Sequence, residues 1–335
     1  MKKAYASIAI GGTKCSLVLG VDEGEEFSWL SRSTFVTPPS AQSALSELVR
    51  ILEEALSENS PMTLQGVGIV CGGPMDENAG LILSPPNLVG WGRFDLVTPF
   101  RDHFQVPVRL MNDANAAVLA EWAWGNARGA ASAVYLTMGT GMGAGILLNG
   151  RLLQGSSGNA GEVGHWRLAE TGPRGYGKSG SFEGFCSGGG IARLAQEIAL
   201  VHLQNGTPAD FAPKFSDLES ITAASVAAAS ADGDPVATQI WADVGSKLGL
   251  GVSMIIDLLN PEVIVIGGIF NRQRDLLEPT MREVLEQECL TTSLAACRIV
   301  PSGLGESIDD YAGLAAALPD AADSPIATLL SSARD

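Results

Sequence analysis

The feature that most constrains the fold is a strand, a glycine corner and a second strand, written twice. Ala4 to Ile10 is apolar and strand-like, Gly11-Gly12-Thr13-Lys14 is a tight turn, and Cys15 to Val21 is strand-like again. Val134 to Asn149, VYLTMGTGMGAGILLN, repeats that order. A repeat at about 125 residues predicts two related halves facing each other across a cleft. Glycine at such corners allows φ > 0 and lets backbone N–H groups approach an anion, as in loops that cradle phosphates. In Gly139-Thr140-Gly141-Met142-Gly143-Ala144-Gly145 the alternation leaves one face without side chains, with room for a nucleotide phosphate. This is not a Walker loop, because no Gly-Lys-Ser/Thr follows, and not a Rossmann fingerprint, because Ile146 to Leu148 reads as strand where a helix should begin. A plain tight turn explains either hairpin alone. Two matched hairpins with an acid between them are much harder to explain that way.

The acid is Asp113. Val106, Val108, Leu110 and Met111 read as a short buried strand and Ala114 to Ala123 as a helix. Asn112 and Asp113 therefore fall at the carboxyl end of the strand, where open α/β sheets hold ligands. Asp113 as a base and Asp113 as a helix cap both fit this stretch.

Around these motifs, Phe27 to Phe35 completes a meander, and Ala41 to Asn59 reads as a surface helix capped by Ser40. Gly66 to Cys71 returns to strand and is stopped by Gly72-Gly73-Pro74; a loop through Pro85-Pro86-Asn87 follows. A further strand, Val263 to Ile266, ends in Gly267-Gly268. Helices are expected at Ile191 to Leu203 and Ala223 to Ala231, and the tail from Ser324 reads as frayed. Gly155 to His165 sets Glu162 and His165 three residues apart among glycines, where a carboxylate and an imidazole can reach one small ligand and suit sugar hydroxyls better than a metal. Glu183, in another glycine-rich run, either joins them or is an exposed acid.

A chain of 335 residues implies two domains. The net charge of −16 with only 21 Lys+Arg leaves no phosphate-tracking face, so nucleic acid is excluded as a partner. Leu248 to Leu259 reads as a buried helix too short for a bilayer, and MKKAYASIAI lacks a secretion pattern, so no membrane partner is expected. The five cysteines are scattered with no C-x-x-C pair, which points to reduced thiols and a cytoplasmic setting.

Taken together, Gly11-Gly12-Thr13-Lys14, Asn112-Asp113-Ala114-Asn115, Gly139 to Gly145, Gly161-Glu162-Val163-Gly164-His165, Gly267-Gly268, Leu304-Gly305 and Ala312-Gly313 resemble the ROK family of bacterial sugar kinases and related repressors. The resemblance implies an α/β fold of two ribonuclease-H-like, actin/hexokinase-like domains with a central cleft. Residues 1–120 with a C-terminal helix at 306–330 would form one domain, and 121–305 the other. It further implies ATP and Mg²⁺ as cofactors, a sugar and a nucleotide as partners, and a homodimer. Asp113 would be the general base, with Asn87, Asn112, Glu162, His165 and Glu183 holding the sugar hydroxyls. Gly11, Gly12, Thr13, Gly139, Thr140, Gly141 and Gly143 would hold phosphates, with Gly267 and Gly268 near the nucleoside.

Two departures stand out. The acid usual two residues before the first Gly-Gly is Ala9, which keeps open a sugar- or nucleotide-binding protein that does not turn over. The run usually written C-x-C-G-x-x-G-C is Arg174 to Ser181 without a cysteine, so no structural zinc and no metal-ligating residue are expected. Repressor relatives carry a DNA-binding helix pair ahead of the first strand, and this chain starts on that strand, so the expectation is a hexose or N-acetylhexosamine kinase.

Overall fold

A computed structural model describes residues 2–23 and 27–318. The chain divides into two compact units: residues 1–129 with 151–159 and 306–335, and residues 130–150 with 160–305. The boundary expected at residue 120 falls inside the helix Asp113–Trp124, and the first unit runs on past that helix to Gly129.

In the first unit β1 (Lys2–Ile10), β2 (Lys14–Asp22), β3 (Phe27–Val36), β4 (Met62–Cys71) and β5 (Val108–Asn112) form one sheet in the order β3-β2-β1-β4-β5. The β1–β2 and β2–β3 pairs are antiparallel, and β1–β4 and β4–β5 are parallel. Ala4, Ala6, Ile8, Leu17, Leu19, Val67 and Ile69 are fully buried. The helix Ala41–Glu58 covers this face with Leu45, Leu48 and Leu52, and Ser40 Oγ caps it by accepting the Ser43 amide at 3.2 Å. On the other face the helix Ile308–Ala317 sits at backbone contact, because a Cβ on Gly68 would overlap the Gly313 carbonyl and one on Gly313 would overlap Ser7. Residues 319–330 of the expected C-terminal helix, and the tail from Ser324, lie outside the described residues.

The second unit repeats the arrangement with β6 (Ala133–Met138), β7 (Met142–Leu148), β8 (Val263–Ile266) and β9 (Arg298–Pro301), neighbours in the order β7-β6-β8-β9. Again the hairpin pair is antiparallel and the following pairs are parallel. Both units therefore carry the ribonuclease-H-like order. The stretch Leu248–Leu259 is the second half of a 25-residue helix, Pro235–Leu259, started by an Asp234 cap. Its first half carries Thr238, Gln239, Asp243 and Lys247. Among the described residues no helix is long and apolar enough to cross a membrane.

The positive φ expected at the glycine corners is corrected. Gly11, Gly12, Gly139, Gly141 and Gly143 all lie outside the left-handed region. These corners need glycine for room rather than for φ: a Cβ on Gly12 would stand 2.5 Å from the Asn87 carbonyl, and one on Gly141 would stand 3.0 Å from Glu183 Oε2.

Candidate functional site

In the first unit β5 ends at Asn112 and the helix begins at Asp113. The capping role expected of Asp113 belongs chiefly to Asn112, whose Oδ1 accepts the amides of Ala114 and Asn115 at 3.0 and 3.2 Å. Asp113 Oδ1 also accepts the Ala114 amide, at 2.8 Å, while the residue stays exposed. Its Oδ2 lies on the side of Gly72, where a Cβ would be 3.8 Å away. The negative charge of Asp113, after burial, pushes up the thiol of Cys71 at the end of β4. Asn112 keeps only its Nδ2 side for a ligand, since Oδ1 is committed to the helix.

Two residues not foreseen from the sequence stand behind this turn. Glu77 Oε1 accepts the Asn112 amide at 2.8 Å and lies 3.5 Å from Asn115 Nδ2; its Oε2 accepts from Gln154 Nε2 at 2.7 Å. An isolated Glu in a turn carries no sequence signal, so nothing in the motif pattern could have found it. The Gly11 corner is exposed and rigidly tied: the Gly11 amide donates to the Lys14 carbonyl at 3.0 Å, and Thr37 Oγ1 donates to the Gly11 carbonyl at 2.6 Å. Asn87 is exposed and abuts this corner through Gly12. The position of the missing acid, Ala9, packs against Val70, Ala116, Ala312 and Ala316, a seam of small side chains between sheet and helices.

In the second unit the Gly139 corner is bounded by three other segments. Gly188 donates its amide to the Gly139 carbonyl at 2.8 Å. A Cβ on Gly268, at φ 66°, would overlap the Met138 carbonyl, so the Gly267-Gly268 turn closes onto the corner. Gly268 opens the helix Ile269–Glu288 with no side-chain cap, which leaves that helix's positive end at the turn. Gly139 and Gly143 have nothing within 4 Å of where a Cβ would be, so there is open space beside the backbone there, with the Gly139 amide donating to the Gly141 carbonyl at 3.1 Å. The sequence placed the helix after Glu183 at Ile191, but it starts at Gly188 behind a Ser187 cap, which brings the three-glycine turn Gly188-Gly189-Gly190 to the corner. A serine followed by three glycines was the available signal.

Glu183 is half-buried in the first turn of the short helix Phe182–Cys186, and its Oε2 accepts the Met142 amide at 3.2 Å. It braces the glycine corner, a role the sequence reading did not give it. Glu162 and His165 do come together: Glu162 Oε2 is 3.9 Å from His165 Nε2, and both are exposed enough to meet a ligand. The run Arg174–Ser181 folds as a small hairpin, Arg174–Gly175 against Lys178–Ser179. Buried Ser181 Oγ lies 3.4 and 3.3 Å from the carbonyls of Gly175 and Lys178 and accepts the Gly184 amide at 3.0 Å, so hydrogen bonds knit this segment.

The model of the ROK family matches residues 5–317. The chain belongs to the ROK family. A glucokinase of Halalkalibacterium halodurans is 30% identical over 294 residues, covering 85% of this chain and 86% of its own. Among solved structures, a ROK family glucokinase from Streptomyces griseus, in complex with glucose and AMPPNP, superposes with TM-score 0.73 at 27% identity, covering 93% of this chain and 98% of that one. A ROK family transcriptional regulator, homolog of the E. coli MLC protein, superposes with TM-score 0.80 at 25% identity, covering 99% of this chain and 79% of that one. The ROK fold is actin/hexokinase-like, and both kinases and regulators use it.

Proposed function

We propose that this chain is a carbohydrate kinase that transfers the γ-phosphate of ATP to a hydroxyl of a hexose or an N-acetylhexosamine. The observation that carries the reading is the division of labour at the end of β5: Asn112 serves the helix cap, and Asp113 stays exposed at the carboxyl end of a parallel strand. Phosphoryl transfer asks for positioning and charge stabilisation more than covalent help, so one aligned carboxylate and rigid loops suffice. Asp113 takes the proton of the attacking hydroxyl. Glu162 and His165, with Asn87, the Asn112 amide and Glu183, serve the remaining hydroxyls.

The phosphates are assigned to the Gly11–Thr13 corner and to the corner at Gly139, Thr140, Gly141 and Gly143, with Gly267 and Gly268 on the nucleoside side. The open space beside Gly139 and Gly143 leaves room for an anion, and the Met142 amide already donates to a carboxylate oxygen. A nucleotide-bound Mg²⁺ usually has one or two carboxylates beside the phosphates. Asp113 is assigned to the base role and Ala9 offers no carboxylate, so the ion would be held by the phosphates and water, where it would neutralise charge on the phosphate oxygens.

Ala9 favours a second reading, a sugar-binding protein of the same fold without turnover. The deciding experiment incubates the protein with ATP and Mg²⁺ against glucose, fructose, mannose, N-acetylglucosamine and N-acetylmannosamine, with Asp113→Asn as control. Phosphorylation lost in Asp113→Asn supports the kinase. Sugar-dependent thermal stabilisation without phosphorylation supports the binder.

A further inference from the structure

The tip of the Arg174–Ser179 hairpin is a two-residue turn with both residues left-handed, Tyr176 at φ 48° and Gly177 at φ 76°. Turns of this kind favour Asn-Gly, Asp-Gly or Gly-Gly, because a β-carbon and a bulky ring meet the backbone there. Tyrosine is a poor choice for the first position, and burial does not compensate, since the residue is 59% exposed. What the ring touches is His165: the ring centroids are 4.7 Å apart and the planes meet at 70°. The same hairpin grips His165 a second time, as Lys178 Nζ donates to its carbonyl at 2.7 Å. The backbone of His165 is thus held by Lys178, one side of its imidazole by Tyr176, and Nε2 faces Glu162 at 3.9 Å.

An unfavourable backbone conformation kept at an exposed position, and spent on one contact with a half-exposed histidine, is the mark of a functional rather than a folding constraint. We infer that Tyr176 is a positioning residue that fixes the plane of the His165 imidazole for the sugar acceptor. The identity of the ligand rests on the kinase reading above; the ring contact does not. An imidazole free to turn about its χ2 presents its donor and acceptor nitrogens correctly for only part of the time, and the sugar must then supply the ordering cost.

Two substitutions separate this role from a structural one. Tyr176→Asn installs the residue that the turn prefers, and Tyr176→Phe keeps the ring. The Asn variant is expected to hold or gain thermal stability while the KM for the sugar rises about tenfold and kcat stays within about twofold, whereas the Phe variant follows the wild type. In the sugar-free protein, the His165 ring protons are expected to sit at ring-current-shifted NMR positions in wild type and Tyr176→Phe, and to move in Tyr176→Asn. An unchanged KM or unmoved His165 signals in Tyr176→Asn overturn the inference, and so does a fall in Tm, which would make the tyrosine a folding residue. If the wild type turns over none of the sugars, the kinase reading fails, while the imidazole signals still decide the role of Tyr176.

Discussion

Glu77 Oε1 accepts the backbone amide proton of Asn112 at 2.8 Å, so the residue that caps the Asp113 helix is itself held from behind by a carboxylate. A hydrogen bond to a charged group contributes about 1.5–3 kcal/mol when buried, and the half-burial of Glu77 puts this one at the lower end. Glu77→Ala is expected to lower Tm by a few degrees and to lower kcat more than it changes the nucleotide KM, because the turn that aims Asp113 loosens. Glu77→Gln keeps an acceptor oxygen and is expected to recover most of both. Steady-state kinetics beside a melting curve check this, and equal losses in Gln and Ala would show that the charge rather than the bond matters.

Asn112 and Asp113 are adjacent and are expected to fail differently. Asn112→Ala removes the acceptor of two helix amides and costs about 1 kcal/mol of stability. Asp113→Asn leaves that cap in place, so its Tm stays within a degree or two of wild type. Loss of a positioned base lowers kcat by about 10²–10⁴-fold, read in a phosphorylation assay. An Asp113→Asn protein that unfolds instead would make the carboxylate structural.

Much of this was legible in the sequence because local chemistry and fold agree there. Alternating apolar runs stopped by glycine marked both hairpins, the leucine stripe marked the helix Ala41–Glu58, and Asn112-Asp113 lies at the expected strand end. The brace from Glu183 to the Met142 amide and the hold of Glu77 on Asn112 were not legible, since each joins residues far apart in the chain through one side chain. The start of the helix at Gly188 was missed for a different reason: glycine is read as a breaker, and here the Ser187 cap starts the helix while the Gly188 amide donates to the Gly139 carbonyl. The N-terminal half of Pro235–Leu259 was lost because its polar residues hide the stripe of Ile240, Trp241 and Val244.

The glycines themselves allow stability to be separated from nucleotide binding. Gly143 has open space where a Cβ would point and is not left-handed, so Gly143→Ala is expected to leave Tm unchanged. If a phosphate lies in that open space, the added methyl raises the KM for ATP several-fold with little effect on the sugar KM. Gly12→Ala meets the Asn87 carbonyl at 2.5 Å and is expected to lower Tm as well, since backbone there must move. A Gly143→Ala protein with unchanged ATP kinetics would remove this corner from the nucleotide site.

Asp310 gives the sign of a pH effect. It is 4% exposed, its Oδ2 pairs with Arg32 at 2.8 Å, and its Oδ1 has no hydrogen-bond partner. Burial raises its pKa, Arg32 opposes the rise, and burial wins. An acid whose pKa is higher folded than unfolded favours the folded state most at low pH, and that contribution is lost as pH rises through the folded value. At neutral pH the ionised Asp310 therefore weighs against folding. Asp310→Asn removes the charge, and Arg32, half exposed, can turn to water. The variant is expected to melt at or slightly above the wild-type temperature at pH 7, and the difference should shrink as the pH is lowered through the raised carboxylate range, where wild-type Asp310 is itself neutral. Melting curves across that range check it. A variant that melts well below wild type at pH 7, with the gap closing in acid, would show that the pair with Arg32 outweighs the cost of burial.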